Sequence, residues 1–189
     1  MKSIKYTSEM VNAILEGRKS QTRRIVKFSE DERDNDLNDI VFVKFKDGVA
    51  EFYVKGYEEP FFVKSPYQIG EKVFVKETFE EWDDGIVYKA DNSQANIVSK
   101  WNPLTHMKRS QSRLTLLIKN ITVERLQDIS EEDAIKEGVQ RCDDWTGCAD
   151  DIDFRDAFMF TWNDIYKNDP IKSWEANPFV WKIEFEVVK

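Results

Sequence analysis

The carboxyl end of the chain constrains its fold more than any other stretch. Phe179, Trp181, Ile183, Phe185 and Val187 alternate with Val180, Lys182, Glu184 and Glu186, the period-two pattern of a strand with one face buried. Such an ending requires a sheet with something packed on its apolar side. Ile40 to Phe45 and Val49 to Val54 alternate on either side of Lys46-Asp47-Gly48, a hairpin by its turn residues, and Phe61 to Val63 extends it. Lys72 to Phe79, Ile86 to Lys89 and Thr22 to Phe28 add strands. Ser112 to Val123 reads as one long strand or as two sharing a bend at Lys119-Asn120. Short strands separated by turn signals argue for a barrel or a strongly curved sheet.

Three helices are expected between these strands. Thr7 or Ser8 caps the first, Met10, Ala13 and Ile14 share its inner face, and Gly17 closes it in the left-handed conformation. Ser130 caps the second with Asp133 three residues on, Gly138 ends it, and Ile129, Ala134 and Ile135 face inward. Phe154, Phe158, Thr161, Trp162 and Ile165 give the third an apolar stripe that reads as core. With 189 residues and 41% hydrophobic content, the chain has material for one core. We therefore expect a single α+β domain over residues 1–189, with insertions near 29–68 and 140–178. The 13% aromatic share makes its core ring-rich.

Charge narrows the function classes. Lys and Arg number 28 against 36 Asp and Glu, a formal net charge of −8, which opposes nonspecific nucleic-acid binding but leaves room for a local basic groove. Acid gathers in two runs: Ser29 to Asp39, around Glu30, reads as a mobile loop, and Cys142 to Asp156, around Asp143, reads as a solvated loop and helix start without calcium-loop spacing. Cys142 and Cys148 fit neither a zinc knuckle nor a redox motif and are expected as free thiols. His106, the only histidine, has no acid or cysteine at ligand spacing. No metal or cofactor is therefore expected. No run is apolar enough to cross a bilayer, so the expected compartment is the cytosol.

The best functional lead is Gly17-Arg18-Lys19-Ser20-Gln21-Thr22-Arg23-Arg24, where the first helix ends and a strand begins. Taken alone it also fits a well-capped helix followed by a solvated basic turn, since cations suit a helix carboxyl end. Lys19 and Thr22, an amine and a hydroxyl three residues apart, can instead bind an anion or activate a nucleophile. Trp101 to Arg109 ranks second: Trp101, His106, Lys108 and Arg109 could stack on a base and hold its phosphate. Glu137, in the last turn of the second helix, opposes the helix dipole and invites a search for a cationic partner.

The basic stretch, Gly70-Glu71-Lys72-Val73-Phe74-Val75-Lys76-Glu77-Thr78 and Phe179-Val180-Trp181-Lys182-Ile183-Glu184-Phe185 together resemble the ASCH domain, a relative of the PUA-like RNA-binding barrels. Trp101-Asn102-Pro103 with His106-Met107, Ser112 to Leu116, Val123 to Ala134, and Trp174 with Asn177-Pro178 extend the likeness to ASCH-containing proteins of tailed phages and prophages. The resemblance implies a mixed, mostly antiparallel PUA-like barrel with flanking helices. It implies a pocket for RNA or a modified nucleoside, in the host cytoplasm if the protein is phage-encoded. A smaller branch, the bacterial N4-acetylcytidine amidohydrolases, is about half this length and uses a lysine, a threonine and a glutamate. Their pattern carries over here to Lys19, Thr22 and Glu137 as catalytic residues, with Arg18, Arg23 and Arg24 as binding cations. The alternatives left open are a non-catalytic RNA-binding module, a metal-assisted ribonuclease, and a phage factor that binds another protein.

Overall fold

The computed structural model describes residues 1–29, 37–91, 98, 100–140 and 153–188. In chain order its elements are β1 (Ser3–Lys5), α1 (Ser8–Leu15), β2 (Gln21–Ile25), β3 (Ile40–Lys46), β4 (Val49–Val54), β5 (Phe61–Lys64), β6 (Lys72–Lys76), β7 (Phe79–Trp82), β8 (Gly85–Tyr88), β9 (Thr115–Arg125), α2 (Glu131–Lys136), α3 (Phe154–Tyr166) and β10 (Phe179–Val188). The main sheet has the order β1-β6-β9-β10-β2. Only β1 and β6 run parallel; the other pairs are antiparallel.

β10 lies inside the sheet, paired along its length with β9 and over its first half with β2. The bend expected at Lys119-Asn120 is a bulge within one strand: Glu184 faces Asn120 and Phe185 faces Ile118, so Lys119 is the extra residue. Trp181, Ile183 and Phe185 are buried as the alternation requires. The other face is not wholly wet, however. Val180 is fully buried among Leu126, Ile129, Ala134, Phe158 and Trp162, because α2 and α3 cover this side of the sheet. The opposite side receives the three-stranded sheet β3-β4-β5. There Phe52 touches the rings of Phe28, Phe61 and Phe179 at 5.3, 5.5 and 5.2 Å between centroids, the ring-rich core that the composition implied.

A closed barrel does not form among the described residues. The strands divide into sheets of five, three and two. The outer edges of the five-stranded sheet are β1 and β2, and the link between them is a side chain: an Arg24 guanidinium nitrogen donates to the Lys5 carbonyl at 2.8 Å. The strand expected over Lys72 to Phe79 breaks after Lys76, and β7 pairs with β8 instead. At the break, Glu77 is buried and takes a two-pronged ion pair from Arg113 at 2.9 Å. Burial pushes the Glu77 carboxyl up while that guanidinium pulls it back.

Helix faces differ in detail from the expectation. Ile135 is exposed, and so are Thr161 and Ile165. The packed stripe of α3 is Phe154, Phe158, Trp162 and Tyr166, at a strict spacing of four. Both cysteines and most of the two acidic runs, including Glu30 and Asp143, lie outside the described residues. Among the described residues, no helix is long and apolar enough to cross a membrane.

Candidate functional site

Two helix ends meet at the basic turn. α1 closes at Gly17, whose φ is 75°, and the amides of Arg18 and Lys19 both donate back to the Ala13 carbonyl, at 2.8 and 2.9 Å. α2, capped by the Ser130 hydroxyl, finishes at Glu137 and turns at Gly138, φ 80°. Lys19 and Glu137 form a β-bridge, and the Ser20 amide donates to the Lys136 carbonyl at 2.9 Å. Gly138 is required twice over. Its backbone is left-handed, and a Cβ there would stand 2.8 Å from the Cβ atoms of both Ala13 and Lys19.

This junction places the Lys19 amine on Glu137. The amine donates to Oε2 and to the backbone carbonyl of that residue, both at 2.7 Å, with the two side chains 1% and 5% exposed. Glu137 therefore has the cationic partner its position demanded, and a second one. Arg23 reaches Oε1 at 3.1 Å, Asp133 at 3.0 Å and Glu124 at 2.6 Å, so its guanidinium is neutralised by three acids. Gln21 and Lys182 also donate to Asp133, Gln21 at 3.0 Å. Charges this far from water cost several kcal/mol each unless paired, and here each is paired.

The electrostatics follow from burial and neighbours. Burial pushes the Lys19 amine below its usual value; Glu137 pulls it back, and the Arg24 and Arg23 charges push it down again. Burial alone would raise the Asp133 carboxyl, but hydrogen bonds from Lys182 and Gln21, with the charges of Lys182 and Arg23, hold it below the usual range. Burial raises the Tyr6 hydroxyl, keeping it a donor. That hydroxyl lies beside Thr22, close enough for the two to affect one another's protons. Even so, it has no hydrogen bond of proper geometry, and no other buried side-chain polar atom among the described residues lacks one.

Over the network opens a cavity of about 650 Å³. Lys19, Thr22, Arg23, Arg24 and Glu137 line one side, the start of α1 contributes Thr7 and Met10, and Phe158, Trp162 and Tyr166 of α3 form an aromatic wall. Its size is that of small-molecule sites, with an apolar wall and a few convergent polar groups. The three expected catalytic side chains thus share one concavity. Among the described residues, however, no hydrogen bond joins the Lys19 amine to the Thr22 hydroxyl; the amine is turned to Glu137.

The expected binding cations separate into distinct environments. Arg23 is wholly buried in the ion network beneath the cavity. Arg18 is held by Glu16 at 2.7 Å and by the Gly138 carbonyl at 2.9 Å. Arg24 lies over the Tyr6 ring, 5.2 Å from its centre, with no acid against it among the described residues. Trp101, His106, Lys108 and Arg109 do not line this cavity. His106 ends one short 3-10 turn and Arg109 begins another, with Lys108 just before it and Trp101 upstream of both; His106, Lys108 and Arg109 are exposed and Trp101 is half-buried.

The sequence reading missed Gln21, Glu124 and Asp133 as the cradle of Arg23, Tyr6 as the ring under Lys19 and Arg24, and α3 as a cavity wall. Part of the signal was present. Asp133 and Glu137 are four apart on one helix, hence on one face, and Gln21 and Arg23 are two apart on one strand. Their partnership spans more than a hundred residues and has no local trace. Among the described residues, no three His, Cys, Asp or Glu side chains are arranged to hold a metal ion. Comparison of the chain with protein-family models, with curated proteins and with solved structures gives no match.

Proposed function

We propose that the cavity binds a modified nucleoside, free or in RNA, with its base against the aromatic wall and its polar edge toward Lys19, Thr22 and Glu137. One observation carries this reading: the buried Lys19–Glu137 pair and Thr22 line the same nucleoside-sized concavity, opposite Phe158, Trp162 and Tyr166. Stacking of a base on such rings is worth about 1–3 kcal/mol, and Glu137 offers acceptors for an exocyclic N–H. The likeness of the basic stretch to ASCH domains supports the same reading, and with it a PUA-like ancestry for the curved sheet. Calorimetric titration with N4-acetylcytidine tests it. Saturable binding is expected, weakened by Thr22→Val by about 0.5–1.5 kcal/mol for one lost hydrogen bond. Absence of binding overturns the reading.

A second reading, hydrolysis of an N4-acyl amide, is favoured by the depressed proton affinity of Lys19. A neutral Lys19 amine would take the Thr22 proton as the Thr22 oxygen attacks the acyl carbonyl. It would then pass that proton to the departing exocyclic nitrogen, and water would cleave the acyl-threonine to give acetate. Glu137 orients the amine. This chemistry requires the amine to swing from Glu137 to Thr22, and its rate should rise with pH as Lys19 loses its proton. Acetate release by wild type, abolished in Thr22→Val, supports it; equal release by both removes it and leaves the binding reading standing.

A further inference from the structure

Among the described residues, the cavity holds one cation that meets no acid. Among the described residues that line it, Arg18 is paired with Glu16, Lys19 with Glu137, and Arg23 with Glu137, Asp133 and Glu124. Arg24 has a single carbonyl, Lys5, and the face of Tyr6. Glu9, on the same wall, is exposed and forms no ion pair with it. The remaining N–H groups of a half-buried guanidinium therefore lack an anion.

The wall behind Arg24 is buried and polar. Tyr6, 1% exposed, stands behind the cavity lining with its hydroxyl beside the lining residue Thr22 but without a well-formed hydrogen bond. The amino end of α1 contributes Thr7 to this part of the wall, and its dipole favours negative charge there. Lys19 and Arg24 both stand over the Tyr6 ring, at 5.6 and 5.2 Å from its centre. Lys19 is occupied by Glu137, so Arg24 is the lining cation left to meet an anion among the described residues.

We infer that the ligand carries a phosphate monoester held by Arg24, so that the cavity takes a nucleoside monophosphate in preference to a neutral nucleoside. This rests on the nucleoside-binding reading above. The monoester could be a free mononucleotide or the phosphorylated end of an RNA chain; the chemistry at Arg24 is the same.

The test titrates the full chain with four probes: N4-acetylcytidine, its 5′-monophosphate, inorganic phosphate, and a short RNA that begins with 5′-phosphorylated N4-acetylcytidine. The monophosphate should bind about ten- to a hundredfold more tightly than the nucleoside, the range of charge-assisted hydrogen bonds, with an advantage that shrinks as salt is raised. Arg24→Gln should erase that advantage, so that the variant binds monophosphate and nucleoside equally; Arg24→Lys should restore part of it. RNA binding equal to the mononucleotide supports the inference with a chain end as the source, and RNA that fails to bind supports it with the free nucleotide. Equal affinity of nucleoside and monophosphate in the wild type overturns the inference, needs no variant to do so, and leaves the nucleoside reading standing. Inorganic phosphate matching the mononucleotide, or no binding by any probe, overturns it as well, the last taking the nucleoside reading with it.

Discussion

Two stretches of this chain look alike on paper: Arg18 to Arg24 and Trp101 to Arg109 each gather cations beside groups that can bind a base or a phosphate. The structure treats them oppositely. The first is drawn inside, where Asp133 and Glu137 of α2 and Glu124 of β9 neutralise Lys19 and Arg23 and fix them under a cavity. The second stays on short surface turns, with Lys108 and Arg109 exposed and without ion pairs among the described residues. The difference is not in the cations. It lies in acids supplied from over a hundred residues away, and in a helix wall that leaves space above them.

The two stretches should therefore respond differently to substitution. The largest effect is expected at Arg23. Arg23→Ala strips a buried partner from Glu137 and Asp133 at once and should destabilise the fold by about 3–5 kcal/mol, measured by denaturant unfolding. Gly138→Ala comes next, because it forces a left-handed backbone on alanine and drives a methyl group into Ala13 and Lys19. A loss of about 1–3 kcal/mol in the same measurement is expected. An effect near zero at either position would mean that the junction between α1 and α2 is looser than described.

A smaller effect depends on pH. The Asp133 carboxyl is held below its usual value in the folded protein, so it binds a proton more readily when unfolded. Its stabilisation is present above the unfolded carboxylate range and is lost as pH falls through the depressed folded value. Acid unfolding of the wild type should steepen there, and Asp133→Asn should flatten that part of the stability curve. The smallest effect belongs to the surface turn. Lys108→Ala with Arg109→Ala should change stability by no more than about 0.5 kcal/mol.

How much of this could be read from residues depends on the range of the interaction. β10, the β3–β4 hairpin, the caps at Thr7 and Ser130 and the stop at Gly138 were legible, because alternation, cap chemistry and left-handed glycine are local properties. The burial of Val180 was not, because the period-two pattern of β10 reports one core and α2 and α3 build another. The break at Glu77 was hidden for a similar reason: its partner Arg113 lies on a distant segment. At the site, only family resemblance marks Lys19, Thr22 and Glu137 as a set, and nothing local to Arg23 announces the three acids that surround it. Thr161 and Ile165 read as core by spacing yet are exposed on the cavity's rim, because helical spacing of three and four cannot tell a packed stripe from a rim.

The central claim, that the enclosed basic stretch and not the exposed one is the binding site, is tested most directly by mapping backbone amide shifts as N4-acetylcytidine is added to the isotope-labelled protein. Saturable shifts are expected at Lys19 to Arg24, at Glu137 to Val139 and along α3, with Trp101 to Arg109 unmoved. Shifts confined to Trp101 to Arg109, with the amides of Lys19, Thr22 and Gly138 unchanged, would contradict it.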